Sequence, residues 1–185
     1  MHEQARLLPA LLATLRVDRE AEPPWLLGHS DGGSIALIHA AGFPAEVAGL
    51  IVLAPHVFVE NVSIASIEAS RTAYRTTDLR ERLARHHADP DSAFWGWNGV
   101  WLDPAFRGWS IESLLPDIHC PVLAVQGRDD EYGTLAQVDA IARAVPQTEL
   151  LILDDCGHSP QRDQPERLTR AVLEFMARHV RPVAV

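Results

Sequence analysis

Trp25-Leu26-Leu27-Gly28-His29-Ser30-Asp31-Gly32-Gly33-Ser34-Ile35-Ala36-Leu37-Ile38 decides how this chain folds. The apolar run 25–27 predicts a strand and the run 33–38 a helix, so residues 28–32 form the turn between them. A serine at a sharp strand-to-helix turn needs glycine on both sides, because backbone and following helix come too close to tolerate a Cβ. Such a G-x-S-x-G elbow pushes the hydroxyl out of the sheet edge and into reach of a base.

A serine presented in this way is followed, in chain order, by an acid and a histidine, each on the loop after a later strand. Cys120-Pro121-Val122-Leu123-Ala124-Val125-Gln126-Gly127 reads as a buried strand, and Arg128-Asp129-Asp130-Glu131 follows it before a helical pattern resumes at Leu135. Thr148 to Leu153 is a second apolar strand, followed by Asp154-Asp155-Cys156-Gly157-His158-Ser159-Pro160, which Gly157 and Pro160 tighten into a loop. An acidic residue after a strand usually does no more than cap the next helix. A Gly-His pair in a loop is commonly a solvated turn. Their order behind Ser30 singles out His158 and one of Asp129 and Asp130. Strands are expected at 25–29, 48–54, 121–127 and 148–153. An amphipathic helix is expected from about His2 to Leu15, with Ala5, Leu8, Leu11, Leu12 and Leu15 at helical spacing, and a connector runs from Arg16 to Pro24.

Through GHSDGG (28–33), GRDD (127–130) and CGHSP (156–160) the chain resembles the α/β-hydrolase superfamily over essentially all its 185 residues. It is most similar to bacterial esterases, lactonases and meta-cleavage-type hydrolases, and its Ser-Asp-Gly-Gly elbow also resembles valacyclovir-hydrolase-like members. The resemblance implies an α/β fold class, a partial α/β-hydrolase fold with a four-stranded parallel half-sheet, flanking helices and a helical cap insertion. It implies Ser30 as nucleophile and His158 as general base and then acid. The family usually places the orienting aspartate three residues after the glycine, which favours Asp130, with Asp129 as the alternative. The implied chemistry is an acyl-enzyme on Ser30, formed from a carboxylic ester, a lactone or an activated carbon–carbon bond and hydrolysed by water, with no metal or organic cofactor. Asp31 supplies one oxyanion donor through its backbone N–H, and its side chain is a candidate contact for a substrate ammonium group. Dehalogenase chemistry is disfavoured, since in this fold it uses an aspartate nucleophile.

The second oxyanion donor comes in this family from a His-Gly type loop well ahead of the elbow. The 27 residues before Gly28 contain no glycine. On the resemblance, the chain therefore starts in the middle of the fold, without the first four strands, and a domain of this kind commonly needs roughly 200–250 residues. Two expectations follow: a first strand with an unpaired edge that invites self-association, and weak turnover unless another segment, such as His56-Val57-Phe58, supplies the donor. A non-catalytic half-domain acting as an interaction module is the competing reading.

The organisation expected is 1–55 for the first part of the core, 56–119 for the cap and 120–185 for the rest. Helical patterns lie near Ser63–Arg75, Asp78–His87 and Asp91–Leu102. Phe94, Trp95, Trp97, Trp101, Phe106 and Trp109 crowd into residues 94–109, with four of the five tryptophans. Any one of them can simply hold the cap together; as a group they point to an apolar or aromatic ester-like substrate, with Trp95, Trp97 and Trp101 as candidate binding residues. Arg71, Arg75, Arg80, Arg82 and Arg85 read as a solvated helix face, and His86-His87 lacks the spacing of a metal site. A net charge of −9 argues against nucleic acid. No apolar run approaches a membrane span, and the N-terminal helix lacks a signal-peptide pattern. Two separated cysteines, Cys120 and Cys156, read as reduced thiols in a cytoplasmic protein.

Overall fold

The computed structural model describes residues 1–17 and 23–179; of the connector expected at 16–24, residues 18–22 lie outside the described residues. Among the described residues there are four strands, β1 (Trp25–His29), β2 (Gly49–Leu53), β3 (Val122–Gly127) and β4 (Thr148–Leu153). They lie in chain order across one parallel sheet. His29, Leu53, Val125 and Leu151 share one row of the register, so the loops after β1, β2, β3 and β4 all leave the same edge. The strand expected at 48–54 stops at Leu53 because Ala54 turns out of the extended region at φ 46°.

β2 and β3 are buried along their whole length, which is why both read as unbroken apolar runs. Ile51, Leu53, Leu123, Val125 and Leu153 face Leu168 and Phe175 of α8 (Pro165–His179). Leu50, Val52, Val122 and Ala124 alternate to the other face, where α2 (Asp31–Gly42) packs on β1 and β2. α2 is mostly apolar or small and buries Gly33, Ser34, Ala36, Leu37, His39 and Ala40, as a helix seated inside a fold must.

α1 (His2–Thr14) packs on α2 through a narrow stripe, burying Ala5 and Leu12. Leu11 and Leu15, expected on the buried face, are exposed together with Leu7, because a stripe of one residue per two turns satisfies the contact with α2. The outer edge of β1 pairs with no strand among the described residues, and Leu27 on that strand is 61% exposed.

The chain divides into two compact units, 1–57 with 111–185, and 58–110. The second contains α3 (Asn61–Thr76), α4 (Leu79–Leu83) and α5 (Pro90–Trp101). α4 is much shorter than the pattern at 78–87 predicts. It buries no residue, and a short helix without a packed face lacks the tertiary contacts that sustain most protein helices. α6 (Ala136–Ala144) and α7 (Pro160–Asp163) also belong to the first unit.

Candidate active site

Ser30 sits between β1 and α2 with φ 54° and ψ −124°, a conformation that is costly for a residue with a Cβ. The turn is held by the Ser30 N–H, which donates to the Leu53 carbonyl at 2.9 Å, and by the Gly33 N–H, which donates back to the Ser30 carbonyl at 2.9 Å. A Cβ on Gly28 would lie 2.6 Å from the Gly33 nitrogen, so glycine is required there. At Gly32 a Cβ would meet nothing within 4 Å. The glycine demanded by close approach on the helix side is instead Gly33, where a Cβ would lie 3.1 Å from that of Pro55.

The loops after β3 and β4 bring Asp130 and His158 to this serine. His158 Nε2 lies 2.9 Å from Ser30 Oγ, and His158 Nδ1 lies 2.9 and 3.0 Å from the two Asp130 carboxylate oxygens. An ionised carboxylate only accepts, so the ring proton belongs on Nδ1 and Nε2 accepts from the serine hydroxyl. Asp130 Oδ1 also accepts from the backbone N–H of Tyr132 at 2.8 Å and of Gly133 at 3.3 Å. Asp129 is exposed, and it meets the histidine loop through its backbone N–H, which donates to the Cys156 carbonyl at 3.0 Å. The structure thus brings Asp130, and not Asp129, to His158. The Asp130 side chain is 1% exposed and that of His158 12%.

The histidine loop is fixed by groups that no sequence motif marks. The Gly157 N–H donates to Asp163 Oδ2 at 3.0 Å, and the His158 N–H to Glu131 Oε2 at 3.1 Å. Asp163 is held below the usual carboxylate range by Arg162 and by this backbone bond. His29, the variable residue of the elbow, donates from Nε2 to the His158 carbonyl at 2.6 Å. The rings of His29, His56 and Tyr132 stand 5.0, 5.8 and 4.7 Å from that of His158. A histidine inside the elbow is the one visible hint; Asp163 and Tyr132 give none, since the Asp163 carboxylate and the Tyr132 N–H meet backbone or loop groups that no motif marks.

Asp31 opens α2, and its N–H belongs to the first turn, at the positive end of the helix. Two N–H groups of the segment considered for a second oxyanion donor are committed elsewhere: that of Val57 donates to Gln137 Oε1 at 2.8 Å, and that of His56 to Ser34 Oγ at 3.2 Å. Cys156 is buried beside the loop, and burial followed by the nearby carboxylates of Asp163, Asp130 and Asp129 pushes its thiol up, away from a reactive thiolate. Burial pushes Cys120 up to about 11. Among the described residues no group of three or more His, Cys, Asp or Glu is placed to hold a metal ion, and no helix is long and apolar enough to cross a membrane.

The candidate binding tryptophans belong to the second unit. Trp101 is 2% exposed and packs against Phe106 at 5.2 Å and Trp109 at 6.4 Å, so it serves as that unit's core. Trp95 and Trp97 meet Phe94 edge-on and stay half-buried.

A parallel sheet that carries a strained serine, an aspartate and a histidine in that order, at the carboxyl ends of β1, β3 and β4, defines the nucleophile-elbow class of α/β proteins. The chain belongs to the alpha/beta hydrolase family, whose family model matches residues 2–171. It is similar to the monoacylglycerol lipase ABHD6 of Rattus norvegicus, 19% identical over 204 residues that cover 94% of this chain and 60% of the lipase. The chain thus spans about three fifths of the length of that curated relative. Among solved structures it is similar to proline iminopeptidase from Mycobacterium smegmatis, with TM-score 0.69 and 18% identity over 95% of this chain and 70% of that one. A meta-cleavage product hydrolase from Pseudomonas fluorescens gives TM-score 0.65 and 17% identity over 92% and 69%.

Proposed function

We propose that this chain carries the catalytic machinery of a serine hydrolase that cleaves a carboxylic ester, a lactone or an activated carbon–carbon bond through an acyl-enzyme. The observation that carries the reading is the continuous relay Ser30 Oγ–His158–Asp130, with all links at 2.9–3.0 Å. His158 takes the Ser30 proton as the oxygen attacks the substrate carbonyl. Asp130 holds the Nδ1–H tautomer and stabilises the imidazolium without itself taking the proton. The same histidine returns the proton to the leaving group, then deprotonates the water that releases the acyl chain from Ser30. The Asp31 N–H serves as one donor to the tetrahedral oxyanion.

Within the 58–110 unit, the half-buried Trp95 and Trp97 give an apolar surface that fits an apolar or aromatic ester-like substrate. Names of the similar proteins cover lipase, iminopeptidase and meta-cleavage product hydrolase, so the ester reading rests on the serine relay and not on any single relative. Two buried thiols fit a reducing compartment such as the cytoplasm.

The second reading, a non-catalytic or self-associating module, draws support from two observations: an outer edge of β1 that pairs with no strand among the described residues, and the commitment of the His56 and Val57 N–H groups to Ser34 and Gln137. Hydrolysis of short p-nitrophenyl esters by the wild type and by Ser30→Ala separates the readings. Turnover abolished by the substitution supports the hydrolase; equal release of p-nitrophenol by both proteins supports the module.

A further inference from the structure

β3 runs Val122-Leu123-Ala124-Val125-Gln126-Gly127, and its glutamine is the sole side-chain amide in an otherwise apolar or small, fully buried strand. Gln126 is 0% exposed. A buried amide is costly unless its hydrogen bonds are met. Its Nε2 donates to Asp130 Oδ2 and, at 3.1 Å, to the Gly133 carbonyl. Both partners are acceptors, so the orientation of the amide is set by chemistry: the NH2 end faces the loop. Oε1 is left buried with no partner among the described residues. A side chain present only to fill space would be apolar, whereas this one puts two N–H groups on the acid loop.

The two oxygens of Asp130 are served differently. Oδ1 accepts from two backbone N–H groups and from His158, whereas Oδ2 accepts from His158 and the Gln126 amide. The bond to the Gly133 carbonyl ties the far end of the same turn to β3.

We infer that Gln126 is a positioning residue for the Ser30–His158–Asp130 relay: its amide fixes the rotation of the Asp130 carboxylate toward His158 Nδ1. The inference rests on the reading of those three residues as catalytic. It is specific about chemistry, since a neutral double donor is required at this point. The carboxyl introduced by Gln126→Glu can donate one O–H to Asp130 while protonated. Once ionised it faces a like charge at hydrogen-bond distance and repels it.

The test is the rate at which an alkyl fluorophosphonate labels Ser30, followed from pH 5 to 10. In that reaction Oγ bonds to phosphorus, fluoride leaves, and the serine proton passes to His158. The downfield proton resonance of His158 Nδ1–H is recorded alongside as a readout independent of labelling. Gln126→Met, which fills similar volume without a donor, is expected to slow labelling about 10- to 100-fold at every pH and to shift the Nδ1–H resonance. Gln126→Glu, which offers at most one O–H, is expected to label more slowly than the wild type throughout, with the deficit widening on an alkaline limb that the wild type lacks. Wild-type rates and pH profiles in both variants overturn the inference; should Gln126→Met fail to fold, a wild-type profile in Gln126→Glu does so alone. A wild type that does not label, or labels equally as Ser30→Ala, overturns the catalytic reading instead. In that case the Nδ1–H resonance decides whether Gln126 positions Asp130: a shift upholds it, an unmoved signal refutes it.

Discussion

Asp130→Asn and Asp129→Asn should behave as opposites, although the two residues are neighbours with the same side chain. At Asp130, four donor groups point at the carboxylate: the His158 Nδ1–H, the Tyr132 and Gly133 N–H groups, and the Gln126 amide. An asparagine must turn its NH2 toward one side. Facing Oδ1's partners it would oppose two backbone donors, so it turns toward Gln126, keeps its carbonyl on the backbone pair, and loses the negative charge beside the imidazole. The imidazolium formed when Ser30 gives up its proton then lacks a counter-charge at a centre-to-centre separation of about 4 Å, which at an effective dielectric near 20 is worth about 4 kcal/mol. That is a factor of about 10³ in rate, and loss of the tautomer constraint carries it toward about 10⁴. Asp129 is exposed and meets the loop by its backbone, so Asp129→Asn should leave the rate within about twofold, as for surface substitutions generally. Stopped-flow measurement of the acylation burst with p-nitrophenyl acetate reads both variants directly. A large loss in Asp129→Asn with a small one in Asp130→Asn would refute this assignment.

Trp101→Ala should destabilise the protein by about 3–5 kcal/mol, since a large side chain at 2% exposure is removed. Trp97→Ala should instead alter the preference between short and aromatic esters with a smaller change in melting temperature; the reverse pattern would contradict the roles given to them. Asp91 is held at about 2, below its ordinary 3.8, first by Arg80 and then by the Tyr74 hydroxyl. A depressed carboxylate stabilises the fold fully above its unfolded value, so the stability difference between wild type and Asp91→Asn should be constant above about pH 5 and vanish between pH 4 and 2, as followed by denaturant titration. The outer edge of β1, which pairs with no strand among the described residues, and the exposed Leu27 predict concentration-dependent association on size-exclusion chromatography; a monomer at every concentration would count against this.

The parts of this molecule that rest on apolar continuity are readable from the amino-acid sequence alone. β2 and β3 are buried on both faces, so their sequences carry little but aliphatic side chains, and their limits fall within a residue of expectation. Strand order is legible only through the family resemblance, since nothing in an apolar run says which neighbour it pairs with. The pattern at 78–87 misleads because charge spacing describes a helix that can form, whereas its length is set by packing that α4 lacks. Ser30 and His158 announce themselves by motif. Their supports do not: Gln126 hides inside a strand whose periodicity is that of a buried segment, and while family spacing favours Asp130, only the structure displays the turn in which the Tyr132 and Gly133 N–H groups close on its Oδ1. Gly32 looks obligatory from the motif yet has open space around it, because the tight approach falls at Gly28 and Gly33.

The central claim is that Ser30 is an activated nucleophile, and peptide mapping by mass spectrometry after fluorophosphonate treatment of the wild type and of His158→Ala tests it most directly. The relay predicts one adduct per chain, located on Ser30 and formed at least about 10³-fold more slowly without His158. An adduct on another residue, or labelling of Ser30 that ignores the loss of His158, would contradict it.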